Sequence, residues 1–212
     1  MIIGITGGIG SGKSTIARAL AARGYAIYDC DKEAKRIIAK DQEVQQHIIA
    51  LFGKEAFVNG VYNTAYVASR VFAEPELLKQ LNGIVHPAVK ADIERSAIRF
   101  QHSEFFFFES AILYEAGLDG ICDRIILVEA PEEVRIARTL QRDYHGEATE
   151  ENINKVRARI QAQKAVSHRP SAISNQQSAI SIQQSAFSHL LVVHNDGKAS
   201  IDELVSVILK DL

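Results

Sequence analysis

The chain has 212 residues, 47% hydrophobic and 24% charged, with a formal net charge of 24 − 26 = −2. This suits one or two globular domains with a sizeable core and excludes a wholly disordered chain. The charge balance disfavours nonspecific nucleic-acid or anionic-membrane binding, and apolar runs of only a few residues are too short for a membrane span.

Residues 1–6 (MIIGIT) read as a short buried strand, followed by a Gly-rich turn over 7–14. Residues 15–23 look helical, with Ile16, Ala19 and Leu20 on one face, and Tyr25 to Tyr28 read as a second strand ending at Asp29-Cys30-Asp31. Strand, turn, helix and strand within about 30 residues make a βαβ unit and call for a parallel sheet. Glycines and Lys13 follow Met1 almost at once, so no signal peptide is expected.

Residues 32–103 are mostly helical in pattern, without a strong strand signal. Leu77, Leu78, Leu81, Ile84 and Val85 fall on one face of a helix that His86-Pro87 is expected to end. Gly53, Asn59-Gly60 and Glu74-Pro75 punctuate the region, which reads as a helical, substrate-binding insertion on the sheet. Phe105 to Phe108 make a third strand ending at Glu109, and Arg124 to Glu129 a fourth. Residues 131–142 form a helix with Pro131 in its first turn. Thr149 is placed to cap the next helix, which runs to about Lys164. Leu190 to Val193 form a fifth strand, and Ser200 and Glu203 have capping-box spacing before a last amphipathic helix. Strands alternating with helices place the chain in the α/β class.

Residues 171–189 repeat with period seven from Ser171, Ser178 and Ser185 and contain no charged residue. Such Ser/Gln-rich sequence buries little apolar area, so a mobile surface connection is expected, or at most a marginal helix leaning on the core through Phe187.

Gly7-Gly8-Ile9-Gly10-Ser11-Gly12-Lys13-Ser14 matches the P-loop pattern G-x-x-x-x-G-K-[ST] completely. The glycines let successive backbone N–H groups face phosphate oxygens, and the following helix adds its positive N-terminus. Lys13 suits the β- and γ-phosphates, and Ser14 a Mg²⁺ ion. Guanine recognition would call for N-K-x-D; the nearest text, Asn154-Lys155-Val156-Arg157, lacks the Asp. A small-molecule kinase fits the length. Its carboxylate candidates are Asp29, Asp31 and Glu109, all at or just beyond strand ends, where α/β sheets hold ligands. Asp31 reads as the base that projects over the loop or as a helix cap, Asp29 as structural, and Glu109 as the Mg²⁺-linked acid or a solvated strand end. Arg135, Arg138 and Arg142 share a helical face, either solvated or serving as mobile clamps on a phosphate in transit. Cys30 has no base beside it and reads as packing. With Cys122 it makes neither a disulfide framework nor, without a Cys/His cluster, a zinc site, which suits a reduced, cytoplasmic setting.

Several segments resemble the dephospho-CoA kinase family, in order along nearly the whole chain. Gly4 to Thr15 is similar to its long P-loop signature, and Tyr28-Asp29-Cys30-Asp31 to its "DAD" segment. Leu81 to Pro87 is similar to "LN-x-I-x-HP", and Ala111-Ile112-Leu113-Tyr114-Glu115 stands where the family has "PLLFE". Arg138 to Asp143 resembles "R-x-x-x-RD", Arg159 to Gln163 "R-I-x-x-Q", and Val193 to Gly197 "I-x-N-x-G". Ala111 replaces a Pro, Thr64 stands where many members carry an Arg, and the heptad repeat lengthens the last connection. The resemblance implies a P-loop fold around a five-stranded parallel sheet, and ATP- and Mg²⁺-dependent phosphorylation of the ribose 3′-hydroxyl of dephospho-CoA. It implies a nucleotide core over 1–31, 104–137 and 190–212, a helical CoA-substrate domain over 32–103 and a lid over 138–169, with 170–189 as the connection. Catalysis falls to Asp31, Lys13 and Arg142. ATP falls to Gly8, Ile9, Gly10, Ser11, Gly12, Lys13, Ser14, Thr15, Arg138 and Asn195. The acceptor falls to Asp31, His86, Pro87, Leu113, Glu115 and Gln163, and the metal to Ser14 and Glu109. The residues alone leave open another P-loop kinase, acting on a nucleoside, nucleotide or sugar, an NTP-binding regulator without a small-molecule product, and the oligomeric state.

Overall fold

The computed structural model describes residues 1–166, 180–181 and 189–212, with the side chains of 1–163 and 189–212. In chain order the elements are β1 (Ile2–Gly7), α1 (Lys13–Ala22), β2 (Ala26–Asp29), α2 (Cys30–Lys40), α3 (Gln42–Phe52), β3 (Phe57–Val58), β4 (Val61–Tyr62), α4 (Thr64–Ala73), α5 (Pro75–Arg99), β5 (Phe106–Glu109), β6 (Arg124–Glu129), α6 (Glu132–Asp143), α7 (Glu150–Val166), β7 (Ile180–Ser181), β8 (Leu190–His194) and α8 (Ile201–Asp211). They fall into two compact units, 1–27 with 100–212, and 28–99. No described helix is long and apolar enough to cross a membrane.

The first unit carries the sheet, in the order β2-β5-β1-β6-β8-β7. The five longer strands are the parallel set expected from the βαβ pattern; β1 pairs in parallel with both β5 and β6, and β6 with β8. β7 adds an antiparallel pair, Ile180 opposite Val193 and Ser181 opposite Val192, at the edge of β8. That pairing corrects the reading of the heptad segment as connection throughout; residues 171–179 and 182–188 of the repeat, including Phe187, lie outside the described residues. Alternate residues of the strands, including Ile3 and Ile5, Ile126 and Val128, and Leu191 and Val193, share one core with Ile16 and Leu20 of α1 and with Leu204 and Ile208 of α8. The capping box that starts α8 is present, Ser200 Oγ accepting from the Glu203 N–H and Glu203 returning to the Ser200 N–H. Thr149 caps α7 by accepting from the Asn152 N–H at 3.2 Å. A second core joins Ile136 and Leu140 of α6 to Val156 and Ile160 of α7.

The second unit is helical apart from a hairpin absent from the sequence reading. Phe57 pairs with Tyr62 and Val58 with Val61 across Asn59-Gly60, whose φ values of 52° and 77° are both positive, as a two-residue type I′ turn requires. Two-residue strands are too short for an alternation to register. α5 packs against α2, α3 and α4 through Val85, Val89 and Ile93, spaced four apart. It does not end at His86-Pro87. Pro87 lies inside it, depriving the Gly83 carbonyl of its donor; burial of the second half of that stripe holds the helix beyond the break. Leu78 is exposed, off the buried face on which it was expected. Asp92 gathers this unit's polar groups, accepting from the Tyr28 hydroxyl at 2.9 Å, from Arg95 at 3.1 Å and from Arg36. Burial raises the Asp92 carboxyl, but these donors together hold it below the usual range.

Candidate active site

The loop between β1 and α1 ends at Gly12, whose φ of 97° lies in the left-handed region. A Cβ there would stand 2.2 Å from Asn195 Nδ2, so both backbone and space demand glycine. No acidic residue sits in the first turn of α1 and no side chain caps it, which leaves its N-terminal N–H groups to an anion. Beside this turn lies a cavity of about 460 Å³ lined by Gly10, Gly12, Lys13, Thr15, Arg138 and Arg142, among others.

β5 lies next to β1 and brings Glu109 to the loop. The Ser14 hydroxyl donates to Glu109 Oε1 at 2.6 Å, and Lys13 Nζ stands 3.8 Å from the same oxygen. Among the described residues no group of three His, Cys, Asp or Glu forms a metal cage. A hydroxyl and one carboxylate suit Mg²⁺, which takes few protein ligands and completes its octahedron with phosphate oxygens and water.

The side of the loop away from α1 is tied to α6, α7 and the end of β8. Arg135 Nε donates to the Ile9 carbonyl at 2.8 Å, and the Ile9 N–H donates to Gln163 Oε1 at 2.8 Å. Arg138 donates to the Ser11 carbonyl at 3.3 Å, to the Asn195 carbonyl at 3.0 Å and to Asn195 Oδ1 at 3.1 Å. Asn195 Nδ2 also donates to the Ser11 carbonyl, at 3.0 Å. Of the residues expected around ATP, Arg138 therefore bonds the loop backbone and also lines the cavity, whereas Asn195 is buried against the loop. Arg135, weighed as a clamp or a solvated arginine but not among the residues assigned to ATP or catalysis, is only 7% exposed and bonded to the loop. Its burial beside Ile136, Thr139 and Leu140 shows that the arginines of α6 do not share one environment.

Arg142 is exposed and bonded to Asp143, at 2.6 Å and 3.1 Å, and Asp143 also accepts from Arg159 at 2.8 Å. The Arg142 and Arg159 bonds hold the Asp143 carboxyl at about 2, and the Asp143 bond raises Arg142 in turn.

The expected acceptor residues are dispersed. Leu113 is wholly buried with its side chain against Gly4, and Glu115 is half-buried in the same segment. Gln163 uses both ends of its amide on backbone, accepting from Ile9 and donating to the Ala111 carbonyl at 3.3 Å. Asp31, His86 and Pro87 belong to the second unit. Asp29 caps α2, its Oδ1 accepting from the Lys32 N–H at 3.0 Å, so the cap role weighed for Asp31 belongs to Asp29. Asp31 is exposed in the first turn of α2. His86 is half-buried on α5, and burial lowers its pKa. Pro87 lines a groove of about 460 Å³ together with His47, Gly83 and Arg95.

The family model for dephospho-CoA kinase matches residues 1–180. A dephospho-CoA kinase from Porphyromonas gingivalis is 40% identical over 141 residues, 66% of this chain and 69% of that protein. One from Methylococcus capsulatus is 36% identical over 170 residues, 80% and 82% of the two chains. Among solved structures, TT1252 from Thermus thermophilus superposes with a TM-score of 0.72 at 30% identity over 100% of this chain and 97% of that one. The dephospho-CoA kinase from Campylobacter jejuni shares the fold, with a TM-score of 0.64 at 19% identity over 99% and 96% of the two chains. A phosphate loop with its serine on a strand-end carboxylate, in a chain matched by that model from its first residue to residue 180, belongs to the dephospho-CoA kinase family.

Proposed function

We propose that this chain transfers the γ-phosphoryl group of ATP to the 3′-hydroxyl of the ribose of dephospho-CoA, the last step of coenzyme A synthesis, in the cytoplasm. The Ser14–Glu109 contact beside Lys13 carries this reading, because it sets a hydroxyl, a carboxylate and an ammonium group at one helix N-terminus. Phosphoryl transfer asks for little covalent chemistry from the protein and much positioning of charge.

The backbone N–H groups of Gly10, Gly12 and Lys13 hold the β-phosphate, and Lys13 neutralises charge on the β- and γ-oxygens. Ser14 and Glu109 would hold Mg²⁺, which would offset the negative charge of the phosphates. Asp31 accepts the proton of the 3′-hydroxyl as its oxygen bonds to the γ-phosphorus. The bond from that phosphorus to the β–γ bridging oxygen breaks, and ADP leaves with the electron pair. Arg142, on the lid over 138–169, stabilises the equatorial oxygens in transit. Residues 32–103 bind the acceptor, with His86 and Pro87 among the contacts.

The test is ADP formation from Mg-ATP with dephospho-CoA, AMP, uridine and gluconate as separate acceptors. ADP formed with dephospho-CoA alone supports the assignment. ADP formed only with another acceptor overturns the substrate, and silence across the panel favours an NTP-binding regulator.

A further inference from the structure

Ile9 is held by the α6–α7 pair at three points. Its N–H donates to Gln163 of α7 and its carbonyl accepts from Arg135 of α6, both at 2.8 Å. Its side chain packs on the apolar cluster of Ile136, Leu140, Val156 and Ile160, which is the interface of those two helices. Gln163 also donates to the Ala111 carbonyl, so one amide joins α7 to the phosphate loop and to the segment after β5.

The Ile9 N–H and carbonyl belong to the two successive peptide groups on either side of its Cα, so neither peptide can turn without breaking a bond. One of these bonds comes from a nearly buried guanidinium, which gives the stronger, charge-assisted kind. Ile9 immediately precedes Gly10, whose φ of 75° starts the curl that aims the following N–H groups. Fixing Ile9 therefore fixes the direction in which the phosphate cradle begins.

We propose that Gln163 is a positioning residue of the phosphate loop and makes no contact with the phosphoryl acceptor. Through Ile9 it couples nucleotide affinity to the order of α7. The coupling is reciprocal, so a nucleotide that settles the loop also quiets α7. The inference rests on the loop holding the ATP phosphates, as in the proposed function, and not on which acceptor is used.

The test uses the full chain with Mg-ADP and no acceptor, read by calorimetry and by hydrogen exchange of α7 amides, and steady-state kinetics with dephospho-CoA alongside. Gln163→Met keeps the length and loses both hydrogen bonds. It should weaken Mg-ADP by about tenfold, leave the KM for dephospho-CoA within about twofold, and abolish the slowing of α7 exchange that Mg-ADP causes in the parent. Ile9→Ala, which keeps both hydrogen bonds and loses the side-chain anchor, should move affinity and exchange in the same direction by less. Unchanged Mg-ADP affinity in Gln163→Met with a raised KM for dephospho-CoA would overturn the inference and return Gln163 to the acceptor. So would α7 exchange in the parent that is indifferent to Mg-ADP, a measurement that stands even if Gln163→Met does not fold. If these effects appear while the parent never phosphorylates dephospho-CoA, the acceptor assignment fails and the coupling stands.

Discussion

The Ser14 hydroxyl, in the first turn of α1, donates at 2.6 Å to Oε1 of Glu109 at the end of β5, the strand that lies beside β1 in the sheet. The register that pairs Ile5 with Glu109 places the acid at the strand end, so it is delivered by the fold and not by a flexible loop. In such a position the carboxylate is placed to serve the proposed Mg²⁺ and, at 3.8 Å, moderates the field of Lys13.

Glu109→Gln keeps the acceptor oxygen for Ser14 and removes the charge. It should lower affinity for Mg-ADP by about tenfold while affinity for metal-free ADP stays within a few-fold. Calorimetric titrations with and without Mg²⁺ check this. Equal losses in both would mean that Glu109 shapes the loop without serving the metal.

Asp29 and Asp31 stand two residues apart with separable roles. Asp29→Ala removes the cap of α2 and should cost about 1 kcal/mol of stability, read by denaturant unfolding. Asp31→Asn leaves that cap in place. It should drop kcat by about 10²-fold or more while Mg-ATP affinity changes only a few-fold. Normal turnover in Asp31→Asn with lowered stability would assign Asp31 to the helix and not to the chemistry.

The phosphate loop was legible because its pattern needs consecutive residues, and the place of Glu109 beside it because β5 ends there. The burial of Arg135 was not, since a three-and-four spacing puts it on the same helical face as Arg138 and Arg142. Only the packing of α6 shows the first buried against the loop and the last exposed. Pro87 reads as a helix end because its local cost is all that a sequence displays; the buried Val85, Val89 and Ile93 that carry α5 through it are tertiary. The pairing of Ile180 and Ser181 with β8 was hidden in a repeat whose composition signals no strand.

Arg142 shares Asp143 with Arg159, and these bonds hold the Asp143 carboxyl at about 2, so that carboxylate stays ionised through the neutral range. If Arg142 acts on the group in transit as proposed, Arg142→Ala should lower kcat by about tenfold or more and leave the KM for ATP within a few-fold. Matched kcat values in mutant and parent would return Arg142 to the solvated face.

His86 has its pKa lowered by burial from 6.5, so the folded chain favours the neutral ring. Its contribution to stability is present above pH 6.5 and is lost as pH falls through the lower folded value, because the unfolded chain binds the proton first. Unfolding midpoints should therefore fall between pH 7 and pH 5, and the fall should be shallower in His86→Gln. Parallel profiles for the two proteins would show that His86 is not the group responsible.

The most direct measurement is the identity of the product formed from dephospho-CoA and Mg-ATP, read by phosphorus and proton NMR together with the ADP released. The account predicts one new phosphomonoester on the ribose 3′-carbon for each ADP formed, with loss of the signal in Asp31→Asn. A phosphate at any other position, or ADP released without a new phosphomonoester, would contradict it.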